Sequence, residues 1–190
     1  MEKQLKFYQT VPGVALATVL LLSIPLIAMQ FTNEVNWSVT DFMIMGALLF
    51  SAGISYVLIT RYASNFIYRL AMAAAIGTTL LLIWANLAVG LIGSGPHAGN
   101  LLYGGVVVVV VAGAVLSRGK AKGMQYAMFT AAGSLVLLAS IALLTKMQEY
   151  PGSSVQEIIG VNAFFAALYL ITALLFRNAM LNDSGRKAVD

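Results

Sequence analysis

Cysteine is absent from the 190-residue chain. A disulfide framework, a thiolate zinc site, an iron–sulfur cluster and a thiol nucleophile are thereby excluded together. Charge is nearly as scarce: Asp, Glu, Lys and Arg make up 9% of residues, against about 25% in a water-facing domain. No soluble catalytic domain fits that composition. The single histidine, His97, rules out a haem with two axial histidines and needs at least two ligands from other loops before it could hold zinc.

What fills the chain is apolar, 60% of all residues. A helix crossing the hydrocarbon layer needs about 20 such residues, and six stretches qualify: 11–29, 41–60, 68–92, 101–117, 124–145 and 156–176. Strands are rejected because open edges would leave backbone groups unpaired in lipid and barrel strands would alternate in polarity. The β-branched run Val106 to Val111 weakens the fourth stretch as a helix in water but not in lipid. The start, Met1-Glu2-Lys3-Gln4-Leu5-Lys6, looks like the basic leader of a signal peptide. Its apolar stretch is too long and no small-residue cleavage site follows, so it is taken as the first span. The expected fold class is all-α, a polytopic membrane protein forming one transmembrane domain over residues 1–190, a bundle of six helices.

Cations give the orientation, since Lys and Arg stay on the cytoplasmic side during insertion. Lys3, Lys6, Arg61, Arg69, Arg118, Lys120, Lys122, Arg177, Arg186 and Lys187 fall on one side of a six-span arrangement, and only Lys146 falls on the other, beside Glu34, Asp41, Glu149 and Glu157. Both termini are therefore expected in the cytoplasm. Asp41 and Glu157 each open a span, where a carboxylate favours the helix N-terminus. Trp37 reads as an interfacial anchor, although Asn36-Trp37-Ser38 also matches a glycosylation acceptor.

Helices in lipid associate where small residues let backbones approach. Such faces are expected to line the interior: Gly46, Ser51, Gly53 and Ser55 in the second span, Ala71, Ala74, Ala75 and Gly77 in the third, Gly104, Gly105, Ala112 and Gly113 in the fourth, and Ala131, Ala132, Gly133 and Ser134 in the fifth. One of them could also serve a homo-oligomer. Pro25 is expected to kink the first helix.

Polar groups inside spans point to function, because an amide in hydrocarbon must be paired or face a cavity. Two stand out, Asn86 beside Trp84 and Asn162 in the sixth span. No ionisable group occupies a span centre, which argues against a carboxylate proton relay and a voltage sensor. Between the third and fourth spans, Gly93, Ser94, Gly95, Pro96, His97, Gly99 and Asn100 build a loop whose glycines and proline suit a tight turn and whose Asn100 could cap the next helix. No Lys-Ser/Thr pair follows, so it is not a phosphate loop. The candidate ligand pocket is Trp84, Asn86, Tyr103 and Asn162, with Ser94, His97 and Asn100 on the outer loop. No metal cluster, cofactor or nucleic-acid partner is expected, and no catalytic motif is recognisable.

The segments Glu34-Val-Asn36-Trp37 with Asp41-Phe42, and Trp84-Ala-Asn86-Leu-Ala-Val-Gly90-Leu-Ile-Gly93-Ser94 with Asn100-Leu-Leu-Tyr103, resemble a group of small multi-pass bacterial inner-membrane proteins. The resemblance covers the second to fourth spans and implies a bacterial inner membrane but no activity. Where that group carries Asn-Pro-Ala-Asn, this chain has Pro96-His97-Ala98-Gly99-Asn100. The expected function is binding or passage of a small solute or lipid at an outward-facing pocket, with membrane lipids as surroundings. An accessory protein working through helix–helix association is the rival, and a metal-assisted enzyme using His97 a weaker third.

Overall fold

The computed structural model describes residues 2–61, 63, 65–93 and 97–187, with side chains described between 10 and 182. Six helices follow one another: α1 (Glu2–Phe31), α2 (Val39–Thr60), α3 (Phe66–Ala88), α4 (Leu102–Leu116), α5 (Ala121–Leu144) and α6 (Val155–Lys187). Short 310 turns, Ala98–Leu101 and Met147–Glu149, precede α4 and α6. All six helices are long and apolar enough to cross a membrane, counting the first turn with α4, and no strand occurs among the described residues.

The packing separates two compact units, Met1–Arg61 and Tyr62–Asp190. In the first unit, α1 and α2 form a hairpin. Gly53 faces Val14, and an added Cβ would come 2.6 Å from a Val14 methyl; Gly46 does the same against Leu22 at 3.3 Å. Small residues thus admit the neighbouring helix's branched side chains. α1 runs unbroken through Pro12 and Pro25. α2 starts in a capping box: the Asp41 amide donates to Ser38 Oγ at 3.2 Å and the Ser38 amide to Asp41 Oδ2 at 2.7 Å, which satisfies two amides that the helix start leaves without partners.

In the second unit each helix packs on two neighbours, in the cyclic order α3, α4, α5, α6. The interior is a stack of Met72, Leu82, Met124, Met128, Leu135, Tyr169 and Phe176, all nearly inaccessible. Thr79 and Tyr169 hydroxyls meet at 3.1 Å to join α3 to α6. Ala71, Ala75, Ala131 and Ala132 lie inside as expected, and Gly113 lets α4 touch Ala127 of α5.

Three expectations are corrected. α3 ends at Ala88 rather than 92 because Gly90, at φ 73°, terminates it in the left-handed region. α6 continues beyond 176, since helical hydrogen bonding outlasts the apolar run. Gly77, Gly104, Gly105, Ala112 and Gly133 lie on exposed faces, not in the interior, and a Cβ on any of these four glycines would meet nothing within 4 Å. A glycine in lipid packs a helix only if the helix is rotated to point it inward, which residue type cannot report.

Asn65 locks one end of this unit. Its Oδ1 accepts from the amides of Ile67 (2.9 Å) and Tyr68 (3.3 Å) and its Nδ2 donates to the Ala179 carbonyl of α6 at 3.0 Å. Losing an N-cap costs about 1–2 kcal/mol, and here the tie to α6 goes with it. Asn65→Ala is therefore expected to lower the thermal midpoint in detergent by about 2–8 °C for a chain of this length, read by scanning fluorimetry. An unchanged midpoint would remove Asn65 from the framework.

Candidate functional site

The second unit has two chemically different ends. One carries Asn65 and the cationic α4–α5 turn. The other collects the end of α3, the start of α4, the end of α5 and the start of α6, and every candidate site residue that the structure describes belongs to it.

Asn100 organises that end. After Gly90 the chain turns back, and Leu91 and Ile92 are buried without being helical. Their amides need partners in surroundings that exclude water. Asn100 Oδ1 accepts from both at 2.8 Å, and its Nδ2 donates to the Ile92 carbonyl at 3.2 Å. The expectation that Asn100 caps α4 is thus corrected: its side chain faces backwards, onto the residues after α3. The local cap is His97, whose Nδ1 accepts from the Gly99 amide at 3.0 Å. An accepting Nδ1 places a neutral ring's proton on Nε2. The same ring lies on Tyr150, with centroids 4.1 Å apart and planes tilted by 37°. Ser94 lies outside the described residues.

Asn86 sits in the last turn of α3 and donates through Nδ2 to the Asn100 carbonyl at 3.1 Å. Trp84 is two positions earlier, about 200° around the helix, and lies on the exposed side. The structure therefore joins Asn86 to Asn100 and directs Trp84 away from them.

Tyr103 and Asn162 meet directly. Only 1% of Tyr103 and 2% of Asn162 is exposed. Asn162 Nδ2 donates to the Tyr103 hydroxyl at 3.0 Å and to the Ile158 carbonyl at 2.8 Å. The carbonyl can only accept, so the amide's orientation follows from this bond. α4 and α6 are opposite members of the ring of helices, and the pair spans the interior between them. Tyr103 receives a proton and keeps its own O–H to donate.

Four buried polar atoms lack a hydrogen-bond partner among the described residues: Asn86 Oδ1, Gln148 Oε1, Ser153 Oγ and Asn162 Oδ1. All four belong to this end, and three are amide oxygens, which only accept. Leaving such a group unpaired costs about 1–3 kcal/mol. Sequence reasoning missed Gln148 and Ser153, because nothing in their neighbourhood shows that single polar atoms of a partly exposed loop are shielded.

Asp41, Glu149 and Glu157 are engaged locally rather than with His97. Asp41 closes its capping box, Ser154 Oγ donates to Glu157 at 3.1 Å while accepting from its amide, and Glu149 pairs with Lys146 at 3.5 Å. No group of three His, Asp or Glu residues gathers among the described residues. Comparisons with protein-family models, with curated proteins and with solved structures find no match to this chain.

Proposed function

We propose that this multi-pass membrane protein binds or passes a small solute or lipid group at the end of its second unit built around Tyr103, Asn162, Asn86 and Asn100. The observation that carries the proposal is the convergence of four unpartnered buried polar atoms on that one end, beside a tyrosine hydroxyl whose proton remains available. Interiors pair their polar groups, so a cluster of unpaired acceptors suits a ligand that supplies donors. Amide oxygens next to one O–H match a neutral hydroxyl- or amide-bearing molecule rather than an anion. Positive-inside asymmetry supports an N-in/C-in orientation with this end facing outward, and the resemblance noted above favours a bacterial inner membrane.

Native mass spectrometry of the full chain, released gently from detergent, tests the proposal. Wild type is expected to retain a defined small-molecule adduct, and Asn162→Leu is expected to lose it while keeping its helical circular dichroism. Asn162→Leu should also cost about 1–3 kcal/mol by leaving the buried Tyr103 hydroxyl without its donor, so stability alone does not decide; the adduct does. Wild type without any adduct, or Asn162→Leu with an undiminished one, refutes the pocket.

A second reading, an accessory protein acting through helix association or self-association, is favoured by one observation. Gly104 and Ala112 lie two turns apart on an exposed face of α4, small residues of the kind that let a second helix approach. His97 is assigned to shaping the turn before α4, not to catalysis.

A further inference from the structure

At the opposite end of the second unit, α4 passes into α5 through a turn that includes Arg118 and Gly119, both left-handed at φ 51° and 68°. The turn is held from several sides. Gly119 donates to the Ala114 carbonyl at 3.0 Å, Lys120 to Ser117 at 3.0 Å, and the Tyr68 hydroxyl of α3 donates to the Gly119 carbonyl. Gly123 allows α5 to lie so close to Ser117 that a Cβ there would overlap it. This backbone displays three cations within five positions.

Arg118, Lys120 and Lys122 line one open cavity of about 520 Å³, together with Leu116 and Tyr126. Among the described residues no carboxylate lines it, and none of the three cations pairs with one. Three like charges around one concavity repel each other, and an anion between them would reverse that term. α5 also begins without a side-chain cap, so its first backbone amides have no side-chain acceptor and can donate hydrogen bonds to an anion. Leu116 and Tyr126 are largely exposed and stand where the apolar helices meet the charged turn. The lining therefore has a cationic rim and an apolar wall, a combination that free phosphate does not use.

We propose that this cavity is a binding site for the phosphate-bearing headgroup of an anionic phospholipid, with Arg118, Lys120 and Lys122 around the phosphate and Leu116 and Tyr126 against the adjoining glycerol and acyl carbons. The site is independent of the solute pocket at the other end.

Native mass spectrometry of the full chain tests this, with phosphatidylglycerol, phosphatidylcholine and inorganic phosphate as separate titrants. Phosphatidylglycerol is expected to bind with one-to-one stoichiometry and the other two only weakly. Each cation near an anionic headgroup contributes roughly fivefold, so Arg118→Gln/Lys120→Gln/Lys122→Gln should weaken phosphatidylglycerol by about a hundredfold. An equal loss of charge elsewhere, Lys3→Gln/Lys6→Gln/Arg177→Gln, should change it by less than about threefold. Should the first triple variant lose its helical signal, Lys122→Gln alone carries the test, with a loss of roughly fivefold expected. Equal weakening in both triple variants means diffuse surface charge and overturns the site, as does undiminished binding in the first triple variant or in Lys122→Gln. Inorganic phosphate displacing phosphatidylglycerol at comparable concentration overturns the lipid assignment.

Discussion

Asn100→Ala is expected to be the most damaging single side-chain truncation in the second unit, lowering the thermal midpoint in detergent by about 6–12 °C. The side chain holds two amides and one carbonyl of Leu91 and Ile92, both buried. Each group left unpaired costs about 1–3 kcal/mol. Allowing the loop to relax and recover part of that leaves about 3 kcal/mol, and each kcal/mol shifts the midpoint by roughly 2–4 °C at this size. The result should exceed that of Asn65→Ala, because Asn65 caps a helix start, a role that water can partly replace. Scanning fluorimetry of both variants checks the order, and a shift of Asn100→Ala no larger than that of Asn65→Ala would contradict it. Asn100 lies one turn before Tyr103 and accepts from Asn86 through its carbonyl. A chain lacking its side chain should therefore also lose any adduct that depends on the Tyr103–Asn162 pair.

Hydropathy made the six spans legible, because the bilayer imposes a length and a composition on any segment that crosses it. It could not locate the end of α3. Leu91 and Ile92 are as apolar as the helix before them, and only a side chain eight or nine positions later shows how their amides are satisfied. Likewise α6 continues to Lys187 past Arg177, since helices are not bounded by the membrane. Asn65, directly before Phe66-Ile67, carries a recognisable capping signal, but it lies outside the apolar runs where intramembrane polar groups stand out. Residue type alone marks Tyr103 and Asn162, but their meeting depends on α4 and α6 standing opposite each other, which periodicity along one helix does not encode. In sequence the cationic turn is a topology marker and part of a basic face that attracts anionic headgroups in a generic way, with nothing to show a concavity. Its concavity arises from Gly119 and Gly123, and from Tyr68 on another helix.

The small-residue faces now divide into two kinds, and this division is testable. At Gly113 an added Cβ would overlap that of Ala127 and come 3.3 Å from its backbone Cα, so α4 and α5 must separate to admit it. Overpacking of this kind costs about 1–3 kcal/mol, occasionally more, and Gly113→Ala should lower the thermal midpoint by roughly 2–12 °C. Gly113→Ala/Ala127→Gly moves the methyl from one helix to the other and should restore most of that loss, with a coupling of about 1–2 kcal/mol in the double-mutant cycle. Gly104→Ala and Gly105→Ala, where an added Cβ meets nothing within 4 Å, should instead be neutral or stabilise by up to about 1 kcal/mol through the helix preference for Ala over Gly. Simple additivity at Gly113 and Ala127 would mean that α4 and α5 are not in contact there. The exposed pair bears on function as well. If Gly104→Ala leaves the midpoint unchanged but dissolves a dimer or a copurifying complex seen by native mass spectrometry, that face of α4 binds another helix, and the accessory reading gains over the pocket. If the assembly is unaffected, those glycines only face lipid, and the unpaired amides at the far end of the unit remain the strongest sign of what the protein binds.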